Sequence, residues 1–244
     1  MAELKLITFD LDNTLWNVET VIRNAEIRMQ GWLHSRVPEF PLRFPQEAVQ
    51  ELRNAVLEES PSLRHDLSTL REEILYRAIA ECGFSRQDAR RLARGAFDIF
   101  LDARHEVEFF DGALDTLERL SGAYVLGALT NGNADITRLE LDRFFHFGYS
   151  SASVGASKPA PEIFLAALTH AGTPAAAAVH VGDHLHDDVG GAAGVGMHTI
   201  WVNPQGETQP DDTVRPTHTV SLIDEVPEGI RHIEQALAKG IADG

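Results

Sequence analysis

The chain has 244 residues, 43% of them apolar, which is enough for one substantial core or for a core with a smaller inserted domain. Acidic residues outnumber basic ones by 37 to 21, so the formal net charge is −16 at pH 7. Such a chain would be repelled by phosphate backbones, which argues against a nucleic-acid-binding protein. The single cysteine, Cys82, excludes an intramolecular disulfide. Because the sequence has neither a signal-peptide pattern nor an apolar run of about 18 residues, we expect a cytoplasmic monomer or homodimer with no membrane partner.

The first predicted element is a buried strand over the apolar run from Leu4 to Phe9. Between residues 16 and 107 the apolar residues recur at helical spacing and no strand pattern is found. Four helices are expected there, over 17–36, 46–60, 67–83 and 85–105. The first two breaks contain proline, and the third follows Gly83. This segment therefore predicts a helical domain.

Strands alternate with helices after residue 108, which is typical of βαβ units and of a parallel sheet covered on both faces. Strands are expected over 123–130, 147–154, 176–183, 197–203 and, at an edge, 217–222. Helices are expected over 111–122, 134–145, 161–172, 188–196 and 226–240, with a polar loop over 204–216. The first strand must join this sheet to become buried, so residues 1–15 and 108–244 are predicted to form one α/β core with residues 16–107 inserted.

Polar side chains follow several of the predicted strands at the point where each strand ends. They are Asp10, Asp12, Thr130, Asn131, Asp183, Asp187 and Asp188. Lys158 precedes a helix that leads into the strand ending at Asp183. Because ligands of open parallel sheets bind at the carboxyl ends of the strands, these residues are expected to meet in one crevice.

Carboxylates brought together in this way need a compensating charge, and a hard cation with oxygen ligands supplies it. Mg²⁺ binds one or two protein carboxylates and keeps positions for water and a substrate phosphate. We therefore predict that Asp10 and Asp183 share Mg²⁺, together with a backbone carbonyl near Asp12.

The spacing of Asp10 and Asp12 also suggests a reaction, since extended residues two apart point to the same side. One carboxylate can attack phosphorus, and the other can protonate the leaving alcohol and then activate water. Lys158 would neutralise the phosphoryl oxygens and Thr130 would hold them. The prediction is a phosphatase acting on a small phosphorylated metabolite.

At these residues the chain resembles the haloacid dehalogenase (HAD) superfamily. The segments that match its four motifs, in order, are DLDNT, LTNGN, SKP and VGDHLHDDVGGAAGVGM. The resemblance implies a Rossmann-like parallel sheet with a C1-type helical cap. It also implies a nucleophile at Asp10, an acid/base at Asp12, phosphate binders at Thr130 and Lys158, and a magnesium ligand at Asp183. Asp188 would be a further ligand, its partner, or a group that orients Lys158.

A narrower resemblance links the chain to a bacterial branch of C1-capped phosphatases, in which one class acts on the ribitylaminouracil phosphate of riboflavin synthesis. The cap segment HDLSTLR contributes to it, and His65 and Arg71 in that segment are candidate contacts for an anionic substrate. Asn131 is a candidate helper in substrate binding, and a role for His184 or Asp187 stays open. The alternatives are a phosphomutase, a dehalogenase, which the aspartate at position 12 disfavours within the family, and a binding protein without activity.

Overall fold

The computed structural model describes residues 3–209 and 214–242. The chain divides into two compact units. The sheet unit comprises Met1–Asn17 and Glu108–Gly244, and the helical unit comprises Val18–Val107.

The boundary after the first strand lies two residues later than the sequence suggested. Trp16 forms an isolated antiparallel bridge with Phe109, and the two rings meet edge to face with their centroids 5.7 Å apart. This pairing explains why residues 16 and 17 belong to the sheet unit. Residues 210–213 of the predicted polar loop lie outside the described residues.

The sheet unit contains a parallel sheet of six strands, which confirms the predicted α/β class. The strands are β1 (Leu6–Phe9), β2 (Val125–Thr130), β3 (Phe147–Ser150), β4 (Ala178–Gly182), β5 (His198–Val202) and β6 (His218–Val220). Their order is β3-β2-β1-β4-β5-β6, with parallel pairing throughout. All residues of β1 and β4 are buried, as is usual for central strands covered on both faces.

The helical unit contains four long helices and a short one. They are α1 (Val18–Arg36), α2 (Phe40–Arg43), α3 (Gln46–Glu59), α4 (Leu67–Glu81) and α5 (Arg86–Arg104). The N-terminus of α5 is capped by the Ser85 side chain, which accepts a hydrogen bond from the amide of Asp88. Just after α4, Gly83 adopts a positive φ of 92°, which ends that helix. Helix α2 was not predicted, and Pro41 in its first turn is compatible with a helix start.

The helices that flank the sheet are α6 (Ala113–Ser121), α7 (Ser151–Val154), α8 (Glu162–Ala171), α9 (Gly191–Gly194) and α10 (Val226–Ala242). A π-helical turn, Leu185–Gly190, precedes α9. No helix among the described residues is long and apolar enough to cross a membrane.

The helix predicted over 134–145 was wrong, because that segment folds into successive turns. The Asp135 side chain accepts hydrogen bonds from the amides of Thr137 and Arg138, and Glu140 takes a left-handed φ of 55°. These side-chain and backbone choices compete with a helix. The apolar spacing that suggested a helix instead places Leu141 and Phe145 in the core.

Candidate active site

Asp10 directly follows β1 and extends its pairing with β4 by one residue. Its amide donates to the carbonyl of Val181 at 2.9 Å, and its side chain is almost wholly buried. Asn13 then turns the chain with a left-handed φ of 60°. Asp12 is half-buried, and its Oδ1 accepts a hydrogen bond of 2.9 Å from Nε1 of Trp16. The strand end therefore presents two carboxylates in different environments, one dry and one partly accessible.

Lys158 is buried and uses all three hydrogens of its ammonium group. Nζ donates to Asp10 Oδ1 at 2.6 Å, to Asp188 Oδ1 at 2.6 Å and to the carbonyl of Leu129 at 2.9 Å. Burial alone lowers the pKa of Lys158, but the charges of Asp10 and Asp188 raise it above its ordinary value. The side chain is therefore a fixed positive charge between two carboxylates.

Asn131 holds the backbone of Lys158 in place. Its Oδ1 accepts from the Lys158 amide at 2.7 Å, and its Nδ2 donates to the Lys158 carbonyl at 3.0 Å. The peptide bond between Lys158 and Pro159 is cis. At the end of β2, Oγ1 of Thr130 accepts from the amide of Gly132 at 2.9 Å. Asn131 thus positions the lysine, and its expected contact with substrate stays a prediction.

Asp183 and Asp188 lie at the end of β4 and in the π-helical turn after it. Oδ1 of Asp183 accepts from the Thr14 hydroxyl at 3.1 Å, and its backbone carbonyl accepts from Nε1 of Trp201 at 2.8 Å. Oδ2 of Asp188 accepts from the amide of His184 at 3.0 Å. Both carboxylates are therefore oriented by hydrogen bonds from neighbouring segments.

The carboxylates of Asp10, Asp183 and Asp188 converge, with one oxygen of each within 4.8 Å of the others. Burial raises the pKa of Asp183 to about 6, with a further contribution from the charge of Asp188. Burial also raises the pKa of Asp10, against the opposing effect of Lys158. Burial would raise the pKa of Asp188 too, but Lys158 and His180 bring it below its ordinary value. One lysine does not neutralise three carboxylates, and an all-oxygen donor set of this kind suits Mg²⁺.

Four residues around this cluster received no role in the sequence analysis: Thr8, His180, Trp201 and Thr14, the last residue of the DLDNT motif. Thr14 and Trp201 contact Asp183. Thr8 and His180 are buried in the centre of the sheet and contact each other. The signal for Thr8 and His180 was a polar residue inside an otherwise apolar, fully buried strand.

The structure places His184 and Asp187 at the rim of the cluster. The His184 side chain is 61% exposed, and its Nδ1 accepts from the amide of Asp187, which caps the π-helical turn. Oδ2 of Asp187 accepts a long hydrogen bond of 3.4 Å from Asn131. Neither side chain belongs to the group formed by Asp10, Asp183 and Asp188.

His65 and Arg71 belong to the helical unit. His65 is half-buried in a short 3₁₀ turn, Pro61–His65. Arg71 pairs with Glu26, and its guanidinium lies 3.8 Å from the centroid of the Phe100 ring. Arg71 also lines a cavity of about 770 Å³ within this unit. Their contact with an anionic substrate stays a prediction.

The parallel sheet and the carboxylate–lysine cluster at its carboxyl edge define an α/β enzyme whose site suits a hard cation and an anionic substrate. Residues 4–196 match the family model of haloacid dehalogenase-like hydrolases. The chain belongs to this family.

Two similar proteins are named phosphatases. The 5-amino-6-(5-phospho-D-ribitylamino)uracil phosphatase YigB of Escherichia coli is 32% identical over 206 residues, covering 84% of this chain and 86% of that protein. The glyceraldehyde 3-phosphate phosphatase of Pyrococcus furiosus is 31% identical over 215 residues, covering 82% of this chain and 81% of that protein. Both likenesses extend over most of the two chains compared.

A solved structure, named a 2-haloacid dehalogenase of Pseudomonas syringae pv. Tomato, is similar over nearly the whole fold. Its TM-score is 0.91 at 40% identity, covering 94% of this chain and 99% of that chain. Similar proteins are therefore named either phosphatases or a dehalogenase. The two activities have to be distinguished by the residues of the site.

Proposed function

We propose that the chain is a Mg²⁺-dependent phosphatase that hydrolyses a small phosphorylated metabolite through an aspartyl-phosphate on Asp10. The observation that carries this proposal is the pair of carboxylates after β1: Asp10 is buried against Lys158, and Asp12 is half-buried beside Trp16. A nucleophile and a separate acid/base are the two groups that a double displacement at phosphorus requires. The phosphatase names of the two similar proteins support it.

In the first step an oxygen of Asp10 forms a bond to phosphorus while the ester bond breaks. Because Oδ1 accepts from Lys158, Oδ2 is the oxygen we assign to the attack. The leaving alkoxide takes its proton from Asp12 and departs as the alcohol. In the second step water gives a proton to Asp12 and attacks phosphorus, which releases inorganic phosphate and restores the Asp10 carboxylate.

Lys158 holds Asp10 in position and supplies positive charge next to the transferring group. Asn131 fixes the Lys158 backbone through two hydrogen bonds, and Thr130 lies beside it at the end of β2. We assign Thr130 to the phosphoryl oxygens. Asn131 supports the site by positioning the lysine.

The donor set fits Mg²⁺, which would be held by Asp10, Asp183 and the backbone carbonyl of Asp12. The bound ion would act as a Lewis acid toward the phosphoryl oxygens. Asp188 differs from Asp183 because its two oxygens already accept from Lys158, His180 and the amide of His184. We therefore propose that Asp188 orients Lys158. The sequence had left open whether Asp188 is a magnesium ligand or has this orienting role.

The identity of the organic part of the substrate is a separate question from the reaction. Similarity to the Escherichia coli phosphatase favours the ribitylaminouracil phosphate, and similarity to the Pyrococcus furiosus phosphatase favours a triose phosphate. In the helical unit, His65 and Arg71 are our candidates for recognising an anionic substrate. Substituting Arg71 by Gln should then change KM more than kcat, and should do so unequally across substrates.

Phosphate release from a substrate panel, with Mg²⁺ or with EDTA, tests the reaction. The panel contains the ribitylaminouracil phosphate, glyceraldehyde 3-phosphate, sugar phosphates, nucleoside monophosphates and pyridoxal phosphate. We expect Mg²⁺-dependent release that Asp10→Asn abolishes and that Asp115→Asn, at an exposed position of α6, leaves intact. Release that survives Asp10→Asn would remove Asp10 as the nucleophile, and return of the phosphoryl group to the substrate would indicate a mutase.

The second candidate is a dehalogenase, favoured by the 40% identity to the Pseudomonas syringae protein. A carboxylate nucleophile could displace halide from carbon, but that first step has no leaving alcohol for Asp12 to protonate. Halide release from 2-haloacids, measured beside phosphate release, separates the two. Halide release that persists in Asp12→Asn, without any phosphatase activity, would establish the dehalogenase.

A further inference from the structure

His180 is a buried polar residue in the middle of the sheet that the proposed reaction does not use. It lies in β4, with 1% of its surface exposed, and in the strand register it is paired with Thr8 of β1. Phe164 of α8 packs against the ring edge to face, with centroids 5.2 Å apart. Central strands of parallel sheets are normally apolar, so a histidine and a threonine side by side here require a reason.

An unbroken row of contacts runs from this pair to the proposed nucleophile. Thr8 Oγ1 lies 2.8 Å from His180 Nδ1, and His180 Nε2 lies 3.1 Å from Asp188 Oδ1. The same Oδ1 accepts from Lys158 Nζ at 2.6 Å, and Nζ also donates to Asp10 at 2.6 Å. Five side chains from four segments thus connect the interior of the sheet with Asp10.

The chemistry of the partners fixes the tautomer of His180. An ionised carboxylate only accepts hydrogen bonds, so Nε2 must carry the proton that faces Asp188. Burial lowers the pKa of His180, so the ring is neutral and its Nδ1 must accept. The Thr8 hydroxyl then donates its single proton to Nδ1 at 2.8 Å rather than to the carbonyl of Val179 at 3.4 Å, and both ring nitrogens are satisfied.

We propose that Thr8 and His180 form a positioning relay that sets the orientation of the Asp188 carboxylate, and through it the position of Lys158 against Asp10. Neither residue touches the reacting atoms, so both act through Asp188. The relay rests on the proposed function, since it matters for turnover only if Asp10 and Lys158 take part in the reaction. Residues one step behind a reactive group can change activity by about 10- to 100-fold.

The kinetic test compares His180→Leu, His180→Gln and Thr8→Val, all assayed well below their unfolding temperatures. Leu removes both polar contacts, whereas Gln keeps an amide that can donate to Asp188. We expect kcat to fall by about 10- to 100-fold in His180→Leu with KM little changed, and to recover in His180→Gln. Thr8→Val keeps the branched shape and loses only the hydroxyl, so a smaller fall in kcat is expected.

The second readout does not depend on activity. In ¹⁵N-labelled protein the imidazole signals of His180, assigned by their loss in His180→Gln, should show a neutral ring protonated at Nε2. Protonation at Nδ1 would overturn the relay, as would equal losses of kcat in His180→Leu and His180→Gln or an unchanged kcat in both. If the wild-type protein releases no phosphate from any substrate, the proposed function fails by itself, and the tautomer alone then decides whether the hydrogen-bonded relay exists.

Discussion

In each unit of the molecule a basic side chain is shared between two carboxylates, Lys158 in the sheet unit and Arg77 in the helical unit, and these two groups differ in burial. In the sheet unit, Lys158 bonds Asp10 and Asp188 at 2.6 Å each, with side chains 2%, 9% and 2% exposed. In the helical unit, Arg77 bonds Glu59 and Glu73 at 2.8 Å each, with side chains 27%, 61% and 26% exposed. The number of charges and the distances are nearly the same, so burial is what separates them.

Burial changes what such a group does for the protein. Water screens the Arg77 group, and an exposed pair of this kind contributes little to stability. The Lys158 group has lost its water, so its charges are costly to hold and depend strongly on one another. It also carries an excess negative charge, which nearby Asp183 increases. A buried group of charges with an excess negative charge is typical of a site that binds a cation and carries out a reaction.

The largest expected effect is that of Lys158→Met, which leaves two buried carboxylates facing each other. Removing one partner of a buried ion pair costs about 3–5 kcal/mol of unfolding free energy. We expect a loss of this size in denaturant unfolding with EDTA present. Mg²⁺ should restore more stability to this variant than to the wild type. Equal stability of the two proteins in EDTA would contradict the view that the lysine compensates the carboxylates.

A smaller effect is expected from Gly182→Ala, which adds one methyl group at the end of β4. The new Cβ would lie 2.3 Å from Cγ of Asp188, so the Asp188 side chain must shift from its present position. Overpacking of this kind costs about 1–3 kcal/mol. Because Asp188 is displaced, activity should fall as well.

Gly194→Ala is the matched control, since a Cβ there meets nothing within 4 Å. Thermal unfolding and phosphate release of the two variants would be measured side by side. Loss of activity in both variants would mean that the region tolerates no change at all and that displacement of Asp188 is not the cause of the loss.

The sequence predicts which residues form the buried group around Lys158 better than it predicts the contacts between them. Spacing within one segment placed Asp10, Asp12 and Asp183 at strand ends, because the side-chain alternation of a strand is local. The contact of Thr8 with His180 joins residues 172 apart, and either residue alone looks like an ordinary strand position. Only the strand order, which brings β4 beside β1, puts the two together.

The segment 134–145 shows the opposite failure. Its apolar residues recur at helical spacing, yet Asp135 and Glu140 favour turns. The spacing of apolar residues indicates which residues become buried. In this segment it predicted the buried residues correctly but the backbone conformation wrongly. The hydrogen bonds from Thr14 and Trp201 to Asp183 likewise join segments that are distant in sequence, so they depend on the fold.

Tyr124 tests a case of intermediate burial. Its hydroxyl donates to Glu234 at 2.9 Å, and burial together with this carboxylate raises its pKa to about 12. Solvent screens part of this interaction, so Tyr124→Phe should lower the unfolding free energy by about 1 kcal/mol at neutral pH.

The pH dependence of this difference follows from the direction of the shift. The folded-state pKa lies above the ordinary value of 10, so the contribution is complete below pH 10 and is lost as the pH rises through about 12. Denaturant unfolding of both proteins between pH 8 and 12 would measure it. A difference that grows with pH over this range would contradict the assigned hydrogen bond.

The smallest effect is expected from Arg77→Met, which is the counterpart of Lys158→Met in the helical unit. Met keeps the apolar stem of the arginine, so the variant removes mainly the charge. Because water replaces the arginine around Glu59 and Glu73, we expect the unfolding temperature to stay within about 2 °C of the wild type. Salt should reduce even this difference, since it screens exposed charges. A loss as large as that of Lys158→Met would show that burial does not distinguish the two groups, and that the helical unit depends on its ion pairs as much as the sheet unit does.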